Sequence, residues 1–156
     1  MAQTPNQISC LLIPVKDRQL LLPNASVAEI VDFQQPEKTT GSPEWFLGYI
    51  RWRGIRLPVI SYDAANDQGA APAPSQQARI AVTNTIGEHH GNLPFIAFVT
   101  EGLPRLMKVT KEEITERDEV ALSFADQAAV RISGEEAFIP KLEKLEELAV
   151  KAVSSY

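Results

Sequence analysis

The chain has one cysteine and two histidines, and it has no uninterrupted apolar run near the ~20 residues of a membrane-spanning helix. Cys10 alone cannot close an internal disulfide, which fits a reducing compartment. The opening MAQTPNQIS has no basic segment followed by an apolar one, so no secretory signal is expected and the protein is assigned to the cytoplasm. Positive charge is scarce as well. There are 15 Lys and Arg against 20 Asp and Glu, a formal net charge of −5. Nucleic-acid affinity rests largely on basic side chains that neutralise phosphates, so no nucleic-acid partner is expected.

Catalytic signatures are also missing. The sequence contains no G-x-S-x-G, H-E-x-x-H, P-loop or dinucleotide fingerprint. His89 and His90 are adjacent, so they would face opposite ways in a strand and be solvated in a turn. Zinc needs three or four convergent ligands, and nothing else supplies a soft ligand at motif spacing. Cys10 stands beside Leu11 and Leu12, a setting for a small buried side chain rather than a reactive thiolate. The carboxylates of EEITERDE (112–119) read as a solvated loop; an acid–base pair needs one raised pKa, which an exposed run does not provide. No enzyme, metal or cofactor is expected.

What is present is a chain of 156 residues, 44 % hydrophobic and 22 % charged, enough for one domain or two small halves sharing a core. ISCLLIPV (8–15) and RQLLLP (18–23) read as a hairpin. In NASVAEIVDF (24–33), Asn24 is a candidate cap for a helical turn ahead of a strand. QQPEKTTGSP (34–43) is a polar loop, and NDQGAAPAPSQQA (66–78) reads as a flexible surface loop that divides the chain into similar halves. RIAVTNTI (79–86), LPFIAFVTEGL (93–103) and PRLMKV (104–109) follow as strands, TKEEI (110–114) matches a capping box, and AVRISG with EAFI forms a late hairpin. From Pro140, placed as a first helical residue, Leu142, Leu145, Leu148 and Ala149 make the stripe of a terminal amphipathic helix. The pattern predicts a mainly β, barrel-like architecture.

The most distinctive stretch is WFLGYIRWRGIRLPVISYDAA (45–65). Read as a hairpin, it puts Tyr49, Arg51 and Arg53 on one face and Ile50 and Trp52 on the other, with Gly54 in the turn. Pro58 cannot donate to a ladder and argues for an edge strand or a bulge. Arginine at a rigid tip is placed for bidentate contact with a partner carboxylate, whereas Trp52 reads as core.

This stretch resembles the signature of CheW-like adaptor domains. Gly48, Arg53, Gly54, Leu57, Pro58, Val59 and Ile60 fill its pattern, SVAEIV (26–31) is similar to the preceding V-x-E-I segment through Val27, Glu29 and Ile30, and IAFVTEGLPRLMKV (96–109) is similar to the second-half strand region. The resemblance covers roughly residues 8–150, taken as a single domain. It implies two small five-stranded SH3-like β-barrels around a shared core, and a non-catalytic adaptor that couples a CheA-type histidine kinase to the tips of coiled-coil chemoreceptors. Within the family the chain looks most like the ChpC-type adaptors of systems that control type IV pili. By this resemblance Arg53 and Gly54 form the turn, Val27 and Glu29 lie in the receptor-facing segment, and Arg51 is counted with them as a partner contact from its place beside the turn. There are departures: Arg51-Trp52 replaces the usual Asn-Leu, Thr100 stands where an Asp is common, and Pro140 shortens the last strand. The rival readings are a small-ligand barrel, which needs an open apolar cavity, and a peptide-binding module, which needs an exposed aromatic groove.

Overall fold

The structure, a computed structural model, describes residues 7–67, 69–87 and 90–156. Its strands are β1 (Gln7–Pro14), β2 (Gln19–Pro23), β3 (Val27–Asp32), β4 (Phe46–Trp52), β5 (Ile55–Ile60), β6 (Arg79–Asn84), β7 (Phe95–Thr100), β8 (Arg105–Thr110), β9 (Ile114–Glu116), β10 (Asp126–Ile132) and β11 (Glu135–Pro140). Helix α1 (Tyr62–Asp67) follows β5, and helix α2 (Leu142–Ser155) follows β11. The strands form a 6-stranded sheet, β8-β1-β2-β11-β10-β9, and a 5-stranded sheet, β3-β6-β7-β5-β4. The fold is mainly β with a C-terminal helix.

Both sheets curl. β8 and β9 are the two edges of the larger sheet, yet only the 3-10 turn Lys111–Glu113 separates them in sequence. A link of that length brings the end of β8 close to the start of β9. The enclosed interior holds Cys10, Leu12, Leu21, Val109, Val130 and Ile132. The smaller sheet encloses Ile50, Trp52, Leu57, Val59, Ile80 and Val82. A third cluster, with Leu11, Ile13, Leu20, Leu22, Ile60 and Phe98, lies between them. Alternation along each strand sorts the side chains: β1 sends Cys10 and Leu12 into its own barrel and Leu11 and Ile13 into the shared core. With both faces buried, the strand reads as a continuous apolar run.

Several expectations change. One barrel has six strands rather than five, because Ile114–Glu116 within the acidic run pairs with β10; Glu112, Glu113, Asp118 and Glu119 stay exposed. The 66–78 segment does not divide the barrels: it joins β5 to β6 inside the smaller sheet, and Asn66 and Asp67 belong to α1. The smaller barrel is the continuous stretch 27–100, inserted between β2 and β8 of the larger one. The loop's far end is tied down, with Ser75 Oγ donating to the Glu101 carbonyl at 2.7 Å and Ala78 buried. Pro23, not Asn24, is the N-cap of a 3-10 turn over Asn24–Ser26. Pro140 ends β11, and Lys141 precedes the helix. Pro58 lies in an interior strand rather than at an edge, next to a register shift between Phe46 and Gly48 in the β4–β5 ladder, and β5 pairs with β7 only through Val59 and Ile60, so that ladder does not call on Pro58. On α2, Leu145, Glu146, Ala149 and Ala152 are buried, and Leu142 and Leu148 pack on the shared core.

Candidate functional site

The β4–β5 hairpin turns through Arg53 (φ 49) and Gly54 (φ 76). Two consecutive positive φ values are the mark of the type I′ turn, whose twist matches that of the flanking strands. The larger barrel closes its β10–β11 hairpin the same way, through Ser133 (φ 47) and Gly134 (φ 79). At the base of β4, Gly48 (φ 119) is required sterically: a Cβ there would lie 2.2 Å from the Glu37 carbonyl oxygen. That approach lets Glu37 and Tyr49 exchange backbone hydrogen bonds of 2.8 and 3.0 Å along the outer edge of β4.

Three groups meet at the tip. The Trp52 indole N–H donates to Glu29 Oε1 at 2.8 Å, and the Arg53 guanidinium reaches the same oxygen at 3.1 Å. The guanidinium carbon also lies 5.0 Å from the Trp52 ring centroid, within cation–π range. Strict alternation put Arg53 on the face opposite Trp52. The left-handed backbone at Arg53 breaks that alternation and returns the side chain over the indole. Trp52 has both roles: its ring packs edge-on against Phe95 at 4.9 Å in the barrel interior, and its N–H fixes Glu29. Because β3 and β4 are the two edges of the smaller sheet, the Glu29–Trp52 bond also closes that barrel. A second tie runs from Gln34 Nε2 to the Arg51 carbonyl at 3.2 Å.

The other proposed contacts lie apart from this cluster. Val27 is half-buried at the start of β3, pairs with Thr83, and packs against the shared core. The Arg51 side chain is exposed on the outer face, directly across from Arg56. Tyr49, expected on an open face with the arginines, is buried there: Arg56 stacks 3.5 Å from its ring centroid, Phe46 meets it edge-on at 5.2 Å, and Ala152 of α2 closes the cluster.

The CheW-like domain pattern matches residues 9–149, nearly the whole chain. The chain belongs to the CheW-like domain family. The scaffolding protein TtCheW from Thermoanaerobacter tengcongensis has a similar structure, with a TM-score of 0.73 over 91 % of this chain and 89 % of that one. At 17 % identity the likeness shows the fold. No curated protein sequence matches the chain.

This CheW-like chain holds its barrels together with polar groups that the sequence did not reveal. Asp126, at the start of β10, accepts from Arg18 Nη1 at 2.8 Å, the Ser123 N–H at 2.8 Å, Asn66 Nδ2 at 3.1 Å and the Tyr62 hydroxyl. Asn66 Oδ1 in turn accepts from the Ala125 N–H at 2.6 Å. Burial alone would raise the Asp126 carboxyl, but the donors Tyr62, Ser123 and Arg18, together with the charge of Arg18, outweigh it and hold the group below the usual carboxylate range. Burial, then the bond to Asp126, pushes the Tyr62 hydroxyl well above its ordinary value. On α2, the buried Glu146 accepts the backbone N–H groups of Ile86 and Gly87 at 2.9 and 2.7 Å. A carboxylate beside an apolar stripe was the only sequence signal for Glu146. Asp126 carried none, because Arg18, Tyr62 and Asn66 come from distant segments.

Cys10 is buried, which pushes its thiol up, away from the thiolate form that a nucleophile needs. Among the described residues no three His, Cys, Asp or Glu side chains are grouped to hold a metal. His90 Nδ1 lies 2.9 Å from Thr85 Oγ1, and His89 is outside the described residues. No helix among the described residues is long and apolar enough to cross a membrane. Both barrel interiors are filled by side chains, and a groove of about 390 Å³ lies outside them, between the 33–47 and 71–74 segments.

Proposed function

We propose that the chain is a cytoplasmic, non-catalytic adaptor that couples a CheA-type histidine kinase to the tips of methyl-accepting chemoreceptors, with the β4–β5 tip as a contact surface. What supports this reading most directly is the Glu29–Trp52–Arg53 cluster, in which one carboxylate, one guanidinium and one indole are locked together at the rim of a barrel. Residues held in this way lose little freedom on binding, and tryptophan and arginine are enriched among residues that dominate interface energies. Gly54 supplies the turn, and Val27 and Arg51, which lie apart from the cluster, are proposed as further contacts. The ChpC-type likeness extends the proposal to control of type IV pili and twitching motility.

The test is co-purification with the kinase regulatory domain and a receptor tip fragment from the source organism. Both are expected to be retained by the wild-type chain and lost from Glu29→Ala, which frees Arg53 and strips the indole of its acceptor. A twitching assay on the deletion strain tests the pilus assignment. Retention of a small molecule, with no capture of kinase or receptor, would overturn the adaptor reading in favour of a ligand-binding barrel.

A further inference from the structure

Arg51 and Arg56 occupy directly opposed positions on β4 and β5, and both are exposed. Like charges at such a pair destabilise a hairpin. Elsewhere the chain matches its arginines with acid: Arg18, Arg53, Arg79, Arg105, Arg117 and Arg131 each have a carboxylate within 4.0 Å. Arg51 and Arg56 have no ion-pair partner among the described residues. The two guanidiniums are also held unequally. Arg56 is pre-oriented by stacking on Tyr49, which is itself wedged by Phe46 and α2, while the Arg51 side chain extends into solvent from a strand edge fixed through its carbonyl.

We propose that Arg51 and Arg56 form a two-guanidinium clamp for a pair of carboxylates one turn apart on a helix of a partner protein. The spacing carries this assignment. Opposed cross-strand Cβ atoms lie ~4.5–5.5 Å apart, and residues at i and i+4 of a helix ~5–6 Å apart. Each guanidinium presents a planar fork that meets a carboxylate with two parallel hydrogen bonds. The clamp is local, two charges on a chain of net charge −5, which suits a short acidic motif rather than a polyanion. The inference rests on the reading of the hairpin as a contact surface and names the partner chemistry for its outer face.

The experiment titrates isotope-labelled protein with an alanine-rich helical peptide bearing two glutamates four residues apart, and with the same peptide bearing two glutamines. The Nε–H signals of Arg51 and Arg56 are expected to shift saturably with the glutamate peptide and to respond at least about tenfold more weakly to the glutamine peptide. Arg51→Gln and Arg56→Gln should each weaken the response to a similar degree. Arg51→Gln should leave the melting temperature unchanged or raised, because it relieves the repulsion. Equal response to the two peptides, or wild-type response by Arg51→Gln, overturns the clamp. So does tighter binding of oligothymidylate or phosphatidylglycerol vesicles than of the glutamate peptide. Capture of kinase and receptor is measured on the same variants. Normal capture without a peptide response removes the clamp and leaves the adaptor reading; a peptide response without capture by wild type does the reverse.

Discussion

Arg53 occupies a backbone position that glycine or asparagine fills at lower cost. The left-handed conformation costs a side chain with a Cβ roughly 1–2 kcal/mol, and the exposed ion pair with Glu29 and the contact with the Trp52 ring together return about as much, ~0.2–1 and ~0.5–1 kcal/mol. On balance the residue does not stabilise the fold. Arg53→Gly is therefore expected to keep or slightly raise the melting temperature while weakening kinase or receptor binding by roughly tenfold or more, read by calorimetry and by a binding titration. Trp52→Ala should behave differently, losing ~3–5 kcal/mol of stability, because its ring fills the barrel. The contrast shows how far the site was legible. The resemblance and strand spacing together put Arg53 and Gly54 at a hairpin turn and Glu29 in an earlier strand. They could not place Arg53 over Trp52, because a single φ at the turn decides which way that side chain leaves the backbone.

Among elements, strands were the most legible and α1 the least. β1, β2, β6 and β7 bury both faces, so apolar density alone marks them. α1 is only six residues long and has no repeating stripe; it is fixed by the bonds that Tyr62 and Asn66 make to Asp126, far along the chain. β9 was hidden because its three residues lie in an acidic run and are recruited by pairing with β10. The Asp126 cluster gives the barrel junction an acid limit. With its native pKa depressed, Asp126 contributes stability fully above the ordinary unfolded value of about 3.9, and that contribution is lost as pH falls toward the native value, where the unfolded chain binds more protons. Denaturant melts at pH 3 and pH 6 should show a smaller difference for Asp126→Asn than for wild type, alongside a loss of ~3–5 kcal/mol at pH 6 from disrupting a buried pair. A second expectation concerns the β5–β6 connection. Removing part of 69–74 should shift the melting temperature little, since loop length changes closure entropy by only ~0.6 kcal/mol per doubling. Extending the deletion through Ser75 and Ala78 should cost several degrees, because the first is bonded to Glu101 and the second is buried.

For the molecule as a whole, the shared core joins the two barrels, and they are expected to unfold as one cooperative unit. Leu11 and Leu20 of one barrel and Ile60 and Phe98 of the other belong to a single cluster, which Leu145 of α2 joins. In a Trp45→Phe variant, which leaves Trp52 as the sole tryptophan, Trp52 fluorescence, which reports on the smaller barrel, and far-ultraviolet circular dichroism, which reports on both, are expected to trace one coincident denaturant transition. Two separated midpoints would show that the cluster does not couple them. The family likeness made the overall architecture legible, but not which strands belong to which barrel, because strand membership depends on pairings between residues tens of positions apart.

Those pairings also set an order of assembly during synthesis. The smaller barrel is one unbroken stretch and can close as soon as β7 has left the ribosome. The larger one cannot: β1 must wait for β8, and β2 for β11, before their backbone edges are satisfied. Roughly 80 residues separate β2 from β8, so at ~5–20 residues per second the first hairpin stays half-paired for about 4–16 s. Through that interval Leu11, Leu12, Leu20, Leu21 and Leu22, which end almost fully buried, have no finished barrel to enter. A nascent chain with an open apolar hairpin is a substrate for holding chaperones, and a stall in translation just before β8 would leave this protein at its most aggregation-prone.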